Sequence, residues 1–374
     1  MSAVQTKKLI GTALKVSLSA ALIGYLAWQA YHDQRFYDLA TKPKNWPLLF
    51  CALPICLTAV TVTILRWQMF VRTLGLAFTT RDALRAGFVS YLLLLAPLGL
   101  VGGDSIKALM LIHRNPRRKT EAVASVLVDR VIGLYALLLL AAVASMFLKQ
   151  SLLDALAPLE RTTIVNLCRA VQSITLISTT GLIVMLFPGV TESRLWDLLE
   201  HTPLVGPVLH KLVGAMRVYR RRLDILLAGI GISLAIHLLY VSAVAVMAAS
   251  IGIAPEHQPP FGSMFVIVPP SMIAGALPIG AYELTLNLLF RSVSPAGAPE
   301  NAGLLIALAF RIIQLCIASI GVGYWLTSRS EVSEVVHEAQ QEPAETLEAG
   351  EQGVTDLPPG AASHASPAAP GPRG

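Results

Sequence analysis

Apolar stretches long enough to cross a membrane recur along the chain, and short polar segments separate them. A helix needs about 20 predominantly apolar residues to cross the hydrocarbon core of a bilayer. The pattern therefore predicts an all-α, polytopic integral membrane protein with about six spanning helices. These are expected at residues 9–30, 47–65, 123–148, 164–187, 224–250 and 302–326.

Two further apolar stretches, residues 86–103 and 263–290, are interrupted by proline and glycine. Such interruptions free backbone polar groups that lipid cannot satisfy. Lysine and arginine flank the first stretch on both sides, whereas the flanks of the second contain neither residue. Because basic segments stay on the cytoplasmic side, each stretch should enter and leave the membrane on one face.

We therefore predict two re-entrant hairpins that enter from opposite faces, one in each half of an inverted repeat. Inverted repeats with broken helices commonly place a substrate site near the middle of the membrane. The turns of the hairpins are expected at Pro97, Gly99, Gly102, Gly103, Pro278 and Gly280.

Two segments are predicted to lie outside the membrane core. Residues 189–223 alternate apolar and charged positions at helical spacing, which is typical of amphipathic helices on the inner surface. Residues 327–374 are rich in glutamate, proline, alanine and glycine, a composition that cannot bury a core. We expect a transmembrane domain at 1–326, a disordered cytoplasmic tail at 327–374, and both termini in the cytoplasm.

The composition narrows the function classes. The chain is 54% hydrophobic and only 14% charged, far below the charged content of ordinary soluble proteins. In a membrane protein, basic loops set topology and attract anionic lipids, so no nucleic-acid partner is expected. The four cysteines lack the CxxC spacing and the eight histidines are scattered, so neither a metal site nor a cofactor is predicted.

Paired charges at membrane depth are the candidate chemistry. Asp104 and Glu283 each follow one of the interrupted stretches, and an arginine, Arg130 or Arg311, follows 26 or 28 residues later within an apolar helix. Ionisable groups inside the membrane are costly and usually face a polar cavity. The predicted substrate-binding residues are Asp104, Lys107, Arg130, Glu283 and Arg311.

Structural interpretations of the same residues stay open. Asp104 would cap a helix or pair with Lys107 one turn later. Arg130 would extend to the interface, and Arg311 would form a salt bridge with Glu283 that holds hairpin to helix. Arg66 and Trp67 are interpreted as an anchor at the membrane interface.

Two blocks of the sequence each combine several motifs. The first contains Arg66-Trp67, the turn at Pro97 and Gly99, the run Gly102-Gly103-Asp104, Lys107, and Asp129-Arg130. The second contains Pro278, Gly280, Glu283 and Arg311. These blocks resemble the lysylphosphatidylglycerol synthase transmembrane, or flippase-like, family. The chain departs from the family pattern at Tyr282, where an arginine is common.

The resemblance implies a plasma-membrane protein that binds and translocates a phospholipid or a lipid-linked headgroup. A membrane-embedded enzyme acting on a lipid-linked sugar or phosphate is the alternative, and a scaffold that uses its tail is a third class. Bifunctional members carry a soluble aminoacyl-transferase domain. Because only 48 residues follow the last predicted span, aminoacyl transfer is not expected and the chain is predicted not to be an enzyme.

Overall fold

The computed structural model describes residues 41, 43–94, 99–147, 158–186, 219–220, 222–275, 280–295, 298–299 and 301–327. Nine α-helices account for most of these residues, and no strand occurs among them. The helices are α1 (Trp46–Thr73), α2 (Thr80–Leu94), α3 (Gly99–Arg114), α4 (Lys119–Met146), α5 (Pro158–Leu186), α6 (Leu223–Ser250), α7 (Phe261–Ala274), α8 (Ala281–Val293) and α9 (Ala302–Thr327). Short 3-10 turns precede α4 and α7, at Pro116–Arg118 and Pro255–His257.

Five of these helices, α1, α4, α5, α6 and α9, are long and apolar enough to cross a membrane. They correspond in position to five of the six predicted spans, and the sixth, residues 9–30, lies outside the described residues. Local signals define where the first of them begins: Pro47 stands in its first turn, and the Leu48 amide donates a 3.1 Å hydrogen bond to the Asn45 side chain. The chain is a multi-pass helical membrane protein.

The first interrupted stretch forms two helices, α2 and α3, that pack against each other in antiparallel directions. Near the break, Gly103 is so close to α2 that an added Cβ would lie 2.8 Å from the Ser90 carbonyl oxygen. At the other end, Arg114 pairs with Asp82 at 3.2 Å. The helices include part of the basic flanks, so this hairpin is longer than the predicted 86–103.

A reciprocal cap begins α2. The Thr79 hydroxyl donates to the Asp82 carboxylate at 2.6 Å, and the Asp82 amide donates back to that hydroxyl at 3.1 Å. Partial burial opposes ionisation of Asp82, but the hydrogen bonds from Thr79 and the nearby Arg114 and Arg85 lower the pKa of its carboxyl group below the ordinary value. Asp82 therefore stabilises both the start of α2 and the open end of the hairpin.

The second interrupted stretch forms α7 and α8, which also pack against each other. Gly280 immediately precedes α8 with a φ of 105°, a conformation that glycine adopts without steric cost. The re-entrant course of both hairpins stays a prediction, as does the inverted repeat. Two predicted turn residues, Pro97 and Pro278, lie outside the described residues, as do most of 189–223 and the tail 328–374.

Packing between the helices follows a repeated scheme. Spanning helices α1 and α6 pack along each other, α2 packs on α9, and α7 packs on α4. Each hairpin therefore contacts a spanning helix from the other end of the chain. At the contact of α9 with α2, Gly321 approaches the Phe88 carbonyl so closely that no side chain would fit. The described residues up to Thr327 belong to one compact unit.

Candidate functional site

In the described part of the chain, three arginines within spanning helices each pair with a carboxylate on another helix. Within a membrane, such pairing greatly reduces the cost of burying each charge. The pairs differ in how completely their polar atoms are satisfied. They are Arg66 with Asp129, Arg130 with Asp104, and Arg311 with Glu283.

The Arg66–Asp129 pair is closed, in the sense that both side chains are buried and bonded within the protein. Arg66 Nε donates to Asp129 Oδ1 at 2.9 Å, Nη2 donates to the Asp129 backbone carbonyl at 3.1 Å, and Nη1 donates to the Ser233 hydroxyl. Only 5% of the Arg66 side chain and 3% of the Asp129 side chain are exposed. This network links α1, α4 and α6, and we interpret it as structural.

The prediction that Arg66 and Trp67 form an interfacial anchor is wrong. The Trp67 side chain is fully buried, and its indole nitrogen lies 3.4 Å from the Ser125 hydroxyl. The physical reason is that α1 continues to Thr73, two turns beyond its predicted end at residue 65. Both side chains therefore lie inside the bundle rather than among lipid headgroups.

The Arg130–Asp104 pair is open, in the sense that both side chains are partly exposed. Arg130 Nε and Nη2 donate to the two carboxylate oxygens of Asp104 at 2.7 and 2.6 Å, a bidentate geometry. The side chains of Arg130 and Asp104 are 35% and 24% exposed. Within the described part of the chain, Arg130 Nη1 has no hydrogen-bond acceptor. The arginine thus keeps donors that a ligand would be able to use.

Two structural interpretations of Asp104 are corrected by this geometry. Asp104 does not cap a helix, because α3 already begins at Gly99. Its carboxylate pairs with Arg130 and not with Lys107. The planar guanidinium offers two parallel donors that fit a carboxylate, whereas an ammonium group offers a single point charge. The bidentate partner is therefore favoured over the lysine one turn away.

Lys107 is buried beside these pairs, with 6% of the residue exposed. Its ammonium group lies 5.2 Å from the centre of the Trp67 ring, within the range of a cation–π contact. The charged groups that act on it are Asp129, Arg130, Asp104 and Arg66. We call these five residues, Arg66, Asp104, Lys107, Asp129 and Arg130, the Lys107 cluster.

The Arg311–Glu283 pair joins α9 to α8. Arg311 Nε and Nη2 both donate to Glu283 Oε1, at 3.0 and 2.7 Å, and Nη1 donates to Gln314 at 3.1 Å. The Arg311 side chain is 29% exposed, whereas that of Glu283 is 7% exposed. Glu283 Oε2 is buried and lacks a hydrogen-bond partner in the described structure. One carboxylate oxygen therefore stays available.

Tyr282, at the position where the family commonly has an arginine, contributes an aromatic contact instead of a charge. Its ring centre lies 5.4 Å from that of Phe310, which also contacts Tyr240 on α6 at 6.2 Å. Aromatic side chains from three helices, α6, α8 and α9, thus contact one another beside Glu283.

The structure brings the predicted site residues together in two groups. Asp104 and Arg130 form one bidentate pair beside Lys107, and Glu283 and Arg311 form the other. Among the predicted turn residues, Gly99 begins α3, Gly102 and Gly103 lie in its first two turns, and Gly280 precedes α8.

The sequence interpretation missed Asp129 as the partner of Arg66, together with Ser233 and Gln314. The missed signal was Asp129 itself, a carboxylate inside a predicted span that requires a nearby cation. Ser233 carries no comparable signal, because serine is frequent in membrane helices, and Gln314 is uncharged, so it does not require a counter-charge as Asp129 does.

Comparison with known proteins supports the motif assignment. The family model described as "Lysylphosphatidylglycerol synthase TM region" matches residues 12–321, a range that contains all three arginine pairs and both hairpins. No curated protein and no solved structure matches the chain. The matched range covers most of the sequence, and the chain belongs to the lysylphosphatidylglycerol synthase TM region family.

Proposed function

We propose that this chain binds the phosphate-bearing headgroup of a membrane lipid at the Arg130–Asp104 and Arg311–Glu283 pairs and moves that headgroup across the bilayer. We call these the open pairs, because their arginines are partly exposed. Family membership and the apolar helices are consistent with a lipid-related role in the membrane. The observation that carries the proposal is the contrast between pairs. Arg66 is closed at 5% exposure, whereas Arg130 and Arg311 expose 35% and 29% of their side chains.

An exposed arginine in a spanning helix requires a polar environment. Arg130 lies within α4 and Arg311 within α9, both of which are long and apolar enough to span. A guanidinium facing hydrocarbon would be strongly unfavourable, so its exposed side should face water or a polar ligand. Because phosphate accepts the parallel donors of a guanidinium, a lipid phosphate is a well-matched ligand.

The carboxylates have a complementary role in this proposal. In the empty state, Asp104 and Glu283 neutralise the arginines, so that neither cation is left without a counter-charge. A bound phosphate takes over part of this neutralisation through donors such as Arg130 Nη1. Glu283 Oε2 is then able to accept a hydrogen bond from an amine or hydroxyl of the headgroup. The acyl chains stay in the lipid phase throughout.

The packing of the hairpins supports movement as well as binding. Hairpin helix α2 packs on α9, which carries Arg311, and hairpin helix α7 packs on α4, which carries Arg130. This reciprocal scheme is expected of two related halves, and inverted repeats of this kind open a shared site to alternate faces. We propose that each hairpin controls access from one face. The distribution of lysine and arginine supports cytoplasmic termini.

The experiment is a translocation assay in vesicles. Purified chain is reconstituted with a fluorescent phospholipid, and the rate at which the probe becomes accessible on the opposite leaflet is measured. We expect Arg130→Ala and Arg311→Ala each to lower the rate by at least about tenfold, since each removes charge-assisted hydrogen bonds to the ligand. Arg222→Ala is the matched control, because Arg222 pairs with Asp224 at 52% and 63% side-chain exposure and belongs to neither pair.

Two results would count against this function. Wild-type rates in both variants, with unchanged folding, would remove the arginines from the transport step. Chemical turnover of a lipid-linked sugar or phosphate by the purified chain would instead point to the enzyme class.

A further inference from the structure

We propose that Glu283 takes up one proton when a lipid phosphate binds to Arg311, and that this proton crosses the membrane together with the lipid. This inference rests on the proposed function and adds a second transported species to it. The chain is then a lipid–proton symporter for headgroups that carry no cation of their own. A headgroup that carries an ammonium group moves without the proton.

The first observation is that the two carboxylate oxygens of Glu283 are bonded unequally. Arg311 Nε and Nη2 both donate to Oε1, at 3.0 and 2.7 Å. Oε2 is buried and has no hydrogen-bond partner among the described residues. Asp104 differs, because each of its two oxygens accepts one donor of Arg130. A buried acceptor without a donor is unfavourable, so a proton or another donor at Oε2 stabilises the site.

The surroundings of Glu283 are poor in groups that could replace Arg311. The described hydrogen bonds to Glu283 come from Arg311 on α9, whose Nη1 donates to Gln314. On α8 itself, the Tyr282 hydroxyl is also buried without a partner in the described residues. Helix α7, which packs on α8, contains no ionisable residue. Helix α5 also contacts α8, and its ionisable residues are Glu160, Arg161, Cys168 and Arg169.

Binding of a phosphate changes the charge of this pair. Arg311 and Glu283 are neutral as a unit, and the parallel donors that a phosphate prefers, Nε and Nη2, now bind Glu283. When a phosphate takes over these donors, Glu283 becomes an ionised side chain without its cation. Only 7% of that side chain is exposed, so water does not replace the lost contact. Because an unpaired buried charge is strongly destabilising, phosphate binding favours protonation of Glu283.

The proton has a defined route in this proposal. It comes from water on the face where the lipid enters and forms an O–H bond at Glu283 Oε2. The resulting carboxyl group donates to a phosphate oxygen or to the Tyr282 hydroxyl oxygen. When the phosphate leaves on the other face, Arg311 returns to the carboxylate, the O–H bond breaks, and the proton passes to water there. A singly charged phosphodiester and one proton together carry no net charge.

The same argument does not extend to Asp104. Its side chain is 24% exposed, so water is able to hydrate the carboxylate when a phosphate binds Arg130. One proton is therefore expected for each lipid, not two. A headgroup ammonium takes the place of that proton, because it supplies both a donor for Glu283 Oε2 and a positive charge. The headgroup thus decides whether a proton is needed.

The test compares two lipids in vesicles that enclose a pH-indicating dye. The full chain is reconstituted in phosphatidylcholine, and analogues of phosphatidylglycerol and phosphatidylethanolamine, both labelled on an acyl chain, are added outside. We expect the inward rate of the phosphatidylglycerol analogue to rise as the medium is acidified, by up to about tenfold per pH unit, the limit for uptake of one proton. Its entry should acidify the lumen. The phosphatidylethanolamine analogue, whose headgroup carries an ammonium, should show neither effect.

A matched pair of variants assigns the proton to its site. Glu283→Gln keeps an oxygen that accepts from Arg311 and places an amide donor where the proton would bind. This variant should move the phosphatidylglycerol analogue without pH dependence and without acidifying the lumen. Asp104→Asn removes the other carboxylate of the open pairs and should keep the pH dependence of the wild type, whatever its rate.

A binding measurement on the wild type covers the case in which Glu283→Gln does not fold. Phosphatidylglycerol is added to the purified chain in weakly buffered detergent solution, and proton uptake is followed with the same dye. About one proton should be taken up for each bound lipid, as linkage between the two binding events requires. Phosphatidylethanolamine should cause no uptake.

The outcomes separate this inference from the proposed function. If translocation requires Arg130 and Arg311, but phosphatidylglycerol moves without pH dependence and binds without proton uptake, the proton proposal is wrong and the transport proposal stands. Equal pH dependence in the wild type and Glu283→Gln would likewise refute the assignment to Glu283. If neither analogue is translocated, yet phosphatidylglycerol binding takes up a proton, the transport proposal fails and the proton site is supported.

Discussion

Neutralising Asp129 is the sharpest test of the distinction between the closed and open pairs. Asp129→Asn keeps the side-chain shape and removes the charge, which leaves Arg66 with 5% of its side chain exposed and without a counter-ion. Removing one partner of a buried pair costs about 3–5 kcal/mol. The same change leaves the Lys107 cluster with three cations and a single carboxylate, which adds repulsion.

Asp104→Asn is the matched comparison. It also removes one carboxylate from a bidentate arginine, but that pair is 35% and 24% exposed, so water is able to replace part of the lost contact. A cost nearer that of an exposed pair, about 1 kcal/mol, is expected. Because about 1.4 kcal/mol corresponds to a factor of ten, the two variants should differ by about 30-fold to 1000-fold in their unfolding equilibrium constants.

The measurement is the free energy of unfolding in mixed micelles titrated with a denaturing detergent. The double variant Arg66→Met with Asp129→Leu serves as the control. Replacing both partners of a buried ion pair by apolar residues is often nearly neutral, so it should recover most of the loss. If Asp129→Asn proved no more costly than Asp104→Asn, the reasoning that separates a structural pair from a ligand-accessible pair would be refuted.

Two further predictions concern the first hairpin. The pKa of Asp82 is lowered in the folded chain, so its ionised carboxylate stabilises the fold above the ordinary carboxyl pKa, and this stabilisation is lost as the pH falls through the folded value. In an unfolding titration, Asp82→Asn should therefore lose less stability than the wild type as the pH falls below about 4. Gly103→Val should separate α2 from α3 at the Ser90 carbonyl and destabilise the chain by about 1–3 kcal/mol in a thermal unfolding assay. Gly181→Ala, where the added methyl meets open space, should be neutral or slightly stabilising, and equal effects of the two substitutions would contradict the packing argument.

The positions of the spanning helices and of the charged residues in the open pairs could be predicted from the sequence for a simple physical reason. Membrane spans require long apolar runs, and ionisable residues inside them require partners. The spacing from Asp104 to Arg130 and from Glu283 to Arg311 therefore predicted two charged sites, and in the structure each arginine pairs with the corresponding carboxylate. Each stretch interrupted by proline and glycine likewise corresponds to two short helices in the described residues, α2 with α3 and α7 with α8.

The closed pair was not predicted because it depends on where a helix ends. Arg66 follows an apolar run and precedes a tryptophan, which is typical of an interfacial position. The continuation of α1 to Thr73 depends on tertiary packing and places Arg66 against α4 and α6. The position of Lys107 under Trp67 depends on the same extension, since the ring is brought inward with the helix.

The Arg66 network also has a consequence for how the chain is made. The guanidinium of Arg66 binds a carboxylate 63 positions later and a hydroxyl 167 positions later in the sequence. Ribosomes extend a chain from its N-terminus, so α1 is inserted long before either acceptor exists. The counter-charge of Arg66 therefore exists only once α4 has been synthesised, and the Ser233 hydroxyl only once α6 has followed. Until then Arg66 has to be hydrated at the membrane edge or sheltered by the insertion machinery.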